Sequence, residues 1–113
     1  MNVNVIFHID EGFKWNLLLH NVTNLLELVD EKTSQVEVLA ISDAVKNYIG
    51  DNDSGIVPKM HQLSIRGVRF AACNNALKAF GIEKEELSAF VEVVPAGVLE
   101  LITRQAEGYA YIK

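Results

Sequence analysis

Apolar positions along this chain switch repeatedly between short continuous runs and spacings of three and four. That switching marks alternating strands and helices. Residues 3–9 are short, β-branched and nearly all apolar, which predicts a buried strand. Trp15, Leu18, Leu19, Val22, Leu25, Leu26 and Val29 then form one helical stripe, predicting a helix over 13–31. Residues 36–41 read as a second strand. Ser42 reads as the N-cap of a short helix carrying Ala44, Val45, Tyr48 and Ile49, which Gly50 ends in the left-handed conformation. The polar stretch Asp51-Asn52-Asp53-Ser54-Gly55 predicts an exposed loop, the chain's candidate lid. Pro58 suits the first turn of a helix that runs to about Arg66 and stops at Gly67.

A third strand follows over 68–72, then a helix from Asn74 to about Phe80 that ends at Gly81. Residues 83–86 predict a brief helical turn with acids near its positive end, and 91–94 a fourth strand. Pro95 is expected to open the last long helix, with Val98, Leu99, Ile102 and Ala106 on it and Gly108 closing it. Residues 109–112 form a short fifth strand. There Tyr109 and Tyr111 alternate as an edge strand or subunit contact would require.

Strands separated by helices imply parallel pairing through right-handed crossovers, with helices on both faces. The expected fold is a single α/β domain over residues 1–113. It has three layers, α/β/α, around a mainly parallel sheet of about five strands whose order the pattern leaves open. Parallel connectivity brings every strand's carboxyl end to one edge, where open α/β sheets bind ligands. Three segments then share that edge: His8-Ile9-Asp10-Glu11, Cys73-Asn74-Asn75 and Pro95-Ala96-Gly97.

Composition narrows the function. The chain has 113 residues, half of them hydrophobic, and a formal net charge of −5. It is long enough for one packed core, and it lacks the basic footprint that nucleic acid or an anionic membrane surface demands. The amino end has no basic region or long apolar run, and no stretch reaches a membrane-spanning length. A cytoplasmic protein is the expectation. One cysteine rules out an intrachain disulfide and Cys-x-x-Cys chemistry, and the three scattered histidines show no ligand spacing, so no metal is expected. No glycine-rich phosphate loop and no nucleophile elbow occur, so no cofactor is called for.

The lone thiol is the main chemical candidate. Cys73 falls between a strand's carboxyl end and a helix start, where amides and a nearby base favour a thiolate. The plainer alternative is a small buried hydrophobe. His8 would assist deprotonation if its strand lay beside that of Cys73, or else only bond the backbone. Asp10 would contribute chemistry or cap the first helix, and Asn74 and Asn75 would serve as caps. His20 and His61 fall on helices, as surface or packing residues.

Four segments carry a resemblance over essentially the whole chain: Phe7-His8-Ile9-Asp10, the run from Val68 through Cys73 to Leu77, the run from Val93 to Ile102, and the run from Arg104 to Ile112. Together they closely resemble the DsrE/DsrF-like family, including the YchN-like proteins. The resemblance implies a three-layer α/β fold, a homo-oligomer (trimer or hexamer) and sulfur handling. In that scheme a single cysteine carries sulfur as a persulfide and passes it to a partner protein. The cysteine maps onto Cys73 and the family's asparagine onto Asn75, whereas Ala76 stands where the family has threonine.

The expected function is thus a small sulfur carrier or sulfurtransferase-like protein acting through Cys73, with His8, Asp10, Asn75, Pro95 and Gly97 around the site. The rivals are an oligomeric module that binds a small anion or metabolite without turnover, and a structural subunit with an inert cysteine.

Overall fold

Five strands lie parallel in the order β4-β3-β2-β1-β5. They are β1 (Asn4–Ile9), β2 (Gln35–Ala40), β3 (Arg69–Cys73), β4 (Val91–Val94) and β5 (Ala110–Ile112). A computed structural model describes residues 1–50 and 54–113. The helices are α1 (Trp15–Leu26), α2 (Ile56–Ile65), α3 (Asn74–Ala79) and α4 (Gly97–Ala106), with 3-10 turns at Gly12–Lys14, Ser42–Tyr48 and Lys84–Glu86.

The order explains the layers. From β1 to β4 each strand is laid beside the last in one direction, so right-handed crossovers put the intervening helices on the same face. The return from β4 to β5 runs from one edge of the sheet to the other. Reversed travel with the same handedness places α4 on the opposite face.

The packing agrees. Val5, Phe7 and Ile9 of β1, Val36, Val38 and Ala40 of β2, and Phe70 and Ala72 of β3 join residues of α1, α2 and α3 in one large core. Trp15, Tyr48 and Phe70 pack together in its centre in tilted and edge-to-face arrangements, with ring centroids 5.3 to 6.4 Å apart. Among the described residues, the apolar core of the other face is Ile6, Leu39, Ala71 and Val94, packed against Ile41, Leu101 and Tyr109. That second core is small because a single helix covers it.

Several local expectations are corrected. The first helix ends at Leu26 rather than at residue 31. Twelve helical residues rise about 18 Å, enough to run back along a six-residue strand of about 20 Å. Ser42 does not cap a helix: Ile41 takes the extended N-cap position, no side-chain cap bond forms, and the segment is a 3-10 turn. Gly50 is not left-handed; Ile49 instead leaves the turn extended and bridges Leu87. Pro95 does not open α4, which starts at Gly97 after an extended Ala96, because the chain must first turn off β4 toward the far face. Val98, Leu99 and Ile102 do lie on α4, as expected, and are exposed there. Gly67 and Gly108 do take the left-handed conformation that closes their helices. Of the expected lid, Asp51, Asn52 and Asp53 lie outside the described residues, and Ser54 and Gly55 are exposed.

Candidate functional site

Cys73 is the last residue of β3, paired with Val94 of β4, and its extended backbone makes it the N-cap of α3. It is 4% exposed. Its Sγ accepts a hydrogen bond from the backbone N–H of Gly97 at 3.3 Å. Gly97 is the first residue of the ten-residue α4, so the sulfur meets the positive end of that helix. Packing here is close. A Cβ on Gly97 would overlap Ile41 Cδ1, lie 2.7 Å from Ile41 Cγ1 and 3.4 Å from Cys73 Cβ. Glycine is therefore what lets the helix amide reach the sulfur.

This geometry redistributes the roles expected of the neighbours. The donor to sulfur is the first amide of α4. The six-residue α3, which begins beside Cys73, makes no side-chain cap bond. Asn75 is exposed, and no hydrogen bond joins it to Sγ among the described residues. Ala76 is buried in the large core. Pro95 is exposed in the turn that delivers Gly97.

His8 is not beside Cys73. β2 stands between β1 and β3, so two strand spacings, about 10 Å, separate them. The His8 ring instead faces β5, with Nδ1 2.8 Å from the Tyr111 hydroxyl. Burial pushes its pKa down, against the opposing pull of Asp10. Asp10 accepts a hydrogen bond from Lys113 Nζ at 3.1 Å, and that bond holds its carboxyl below the ordinary range. Asp10 does not cap the first helical turn; Glu11 occupies the cap position. The Gly12 amide donates to Asp43 Oδ1 at 2.7 Å. His8 and Asp10 line a cavity of about 240 Å³ between β1, β5 and α1.

The expected edge comprised three segments, and the fold adds a fourth. Ile41, Ser42 and Asp43 follow β2, which lies inside the sheet between β1 and β3. Ile41 packs on the thiol site, Asp43 ties this loop to the one after β1, and Ser42 has a positive φ of 56°. Such a conformation is uncommon for a residue with a side chain and marks the sharp turn at the edge. Parallel pairing alone puts these residues at the edge; that they lie between the loop after β1 and the thiol follows only from the strand order. A positive φ at a serine leaves no trace in hydrophobic periodicity.

The opposite face holds an ionic cluster beneath α4. Glu37, 1% exposed, is bonded by Arg69 Nη1 at 3.1 Å and by Arg104 Nε at 2.8 Å. Arg104 also reaches Glu100 at 3.2 Å and Glu107 at 2.9 Å. Among the described residues, no hydrogen bond reaches the second, buried oxygen of Glu37. Burial, together with hydrogen bonding to and repulsion from the Glu100 carboxyl, raises the Glu37 pKa to about 7 against the pull of Arg69 and Arg104. One proton shared between the two acids satisfies that oxygen.

The model of the DsrE/DsrF-like family matches residues 3–113. No curated protein matches the chain. Among solved structures, a protein of unknown function from Methanobacterium thermoautotrophicum, MTH1491, is 36% identical with a TM-score of 0.88, covering 98% of each chain. The ychN protein of E. coli is 20% identical with a TM-score of 0.78, covering 99% of this chain and 98% of its own. BT1422 of Bacteroides thetaiotaomicron, a conserved protein of unknown function, is 14% identical with a TM-score of 0.75, covering 96% and 92%. The last two speak for the fold alone.

Proposed function

The chain belongs to the DsrE/DsrF-like family, associated generally with sulfur relay, and we propose that it is a sulfur carrier that holds sulfane sulfur as a persulfide on Cys73. The observation that carries this reading is the Gly97 N–H donated to Sγ at 3.3 Å from the first turn of α4. A sulfur that gains and keeps negative charge is stabilised by such a donor.

The step balances without an added oxidant. The Cys73 thiolate attacks the outer sulfur of thiosulfate, an S–S bond forms on the protein, the donor S–S bond breaks, and sulfite leaves with its electron pair. The persulfide then passes its outer sulfur to a thiolate of an acceptor protein, which regenerates Cys73. Ile41 and the first turn of α4 cover Sγ, so entry of a donor requires one of them to shift. Asn75 and Pro95, at the exposed rim, would meet the incoming donor or acceptor.

Incubation with polysulfide or thiosulfate followed by intact mass spectrometry tests the reading. The wild type is expected to gain the mass of one sulfur atom, removable by dithiothreitol, and Cys73→Ser to gain none. No adduct on the wild type, or an equal adduct on Cys73→Ser, would overturn it.

The working form proposed is a cytoplasmic homo-oligomer, a trimer or hexamer. The support is α4, whose Val98, Leu99 and Ile102 are 67%, 55% and 59% exposed, on a sheet face covered by that helix alone. No helix among the described residues is long and apolar enough to cross a membrane.

A further inference from the structure

We propose that Ile41 is the gate of Cys73 and sets which donors reach it, admitting slender inorganic sulfane sulfur such as thiosulfate and holding back sulfur carried on a bulky organic group. The choice of donor rests on the sulfur-carrier reading; the gate rests on geometry alone.

Register puts Ile41 at the thiol. Ala40 pairs with Ala72 across β2 and β3, and the next residues along are Ile41 and Cys73. The ladder continues past the end of β2, because the Ile41 N–H donates to the Ile9 carbonyl at 2.9 Å. Side chains alternate along a strand. Ile41 and Cys73, each two residues beyond Leu39 and Ala71 of the small core, therefore stand side by side toward α4. Neighbouring strands lie about 4.8 Å apart. The space beside Gly97 shows the two residues meeting: a Cβ placed there lies 2.7 Å from Ile41 Cγ1 and 3.4 Å from Cys73 Cβ. The cysteine is 4% exposed among these groups.

Of the groups around Sγ, the isoleucine side chain is the one left to move. Helix α4 is fastened farther along: Leu101 packs on the small core, and Arg104 Nε bonds the buried Glu37 at 2.8 Å. The backbone about Ile41 is fastened too. Its own N–H is held by β1, Asp43 Oδ1 accepts from the Gly12 N–H at 2.7 Å, and Trp15 Nε1 donates to the Ala44 carbonyl at 3.0 Å. Ile41 is only partly buried, so rotation about its side-chain bonds swings the Cγ1–Cδ1 arm aside with no main-chain change. Side-chain rotations of this kind are far faster than the displacement of a packed helix. The opening is one aliphatic arm wide, and that width is what selects donors by size.

Labelling with methyl methanethiosulfonate and with its benzyl analogue tests the gate. With either reagent the Cys73 thiolate bonds the divalent sulfur, the reagent's S–S bond breaks, and methanesulfinate leaves with the electron pair. Neither reaction needs a persulfide, so failure of the carrier reading and failure of the gate are told apart. Each rate is divided by that of the same chain unfolded in urea. On the native wild type the methyl reagent is then expected to outpace the benzyl reagent by about tenfold or more. Ile41→Ala is expected to speed the benzyl reagent about tenfold and to remove most of the difference, with Ile41→Val intermediate. Arg104→Gln, which loosens α4 and leaves Ile41 in place, is expected to keep the wild-type ratio. Circular dichroism checks the fold of each variant, and Ile41→Val decides the question by itself should Ile41→Ala not fold. The proposal is overturned if the wild type shows no size discrimination, or if the Ile41 variants keep the wild-type ratio. It is equally overturned if Arg104→Gln shifts that ratio as far as Ile41→Ala does.

Discussion

At Cys73 the chemistry depends on what its neighbours lack. Gly97 lacks a side chain, and so its amide approaches the sulfur to 3.3 Å while Ile41 packs against the same spot. Gly97→Ala would force Ile41 aside or lift the first turn of α4. It is expected to cost about 1–3 kcal/mol in urea unfolding, as overpacking does, and to slow sulfur loading of Cys73. An unchanged unfolding midpoint with unchanged loading would show that the close contact is unimportant. Cys73 was legible as a candidate from its place between an apolar strand and a helix start. The identity of its partner was not, because the Gly97 contact joins residues 24 apart in sequence. Pairing His8 with Cys73 failed for a related reason. Each residue reads correctly as a strand end, yet periodicity carries no information about which strands are neighbours.

Helix α4 is the element on which both the site and its stability turn. It seats on a small apolar patch and on the cluster of Glu37, Arg69 and Arg104. The groups facing Glu37 are Arg69 from β3 and Glu100 and Arg104 from α4; Glu92 of β4 and Glu107 of α4 bind the outer nitrogens of the two arginines. Glu37 titrates near 7, above its ordinary value of 4.5, so the stability it contributes is fully present below pH 4.5 and is lost as pH rises through 7. Glu100 is shifted the other way, chiefly by its hydrogen bond with Glu37, and its contribution is lost as pH falls through its lowered value. Stability therefore peaks on the acid side of neutrality. The urea midpoint is expected to fall between about pH 6 and about pH 8, and Glu37→Gln, which keeps a donor toward Glu100, to flatten that fall. A wild-type midpoint that rises across the interval would contradict the shared proton. Hydrophobic periodicity did not signal this pair: Glu37 sits mid-strand between two valines, and local spacing does not show which groups of α4 face it.

The whole molecule is an uneven sandwich, with three helices and a large core on one face and α4 alone on the other. The exposed apolar residues of α4 lead to a direct expectation. Light scattering at micromolar concentration should give a mass above that of a monomer, and Leu99→Asp with Ile102→Asp should reduce it. A monomeric wild type removes the oligomer proposal. Hydrophobic periodicity was enough to establish five strands, the helices between them, a parallel sheet and the position of Cys73 at a strand's carboxyl end, since each of these follows from local spacing and the handedness of crossovers. Element ends shifted where a helix had only a strand's length to cover or where the chain had to turn toward the other face. The strand order, the amide that meets the sulfur, the buried Glu37 and the cavity beside β5 were decided by tertiary structure alone. Each is a contact between segments distant in sequence, and such contacts are selected by how whole layers pack.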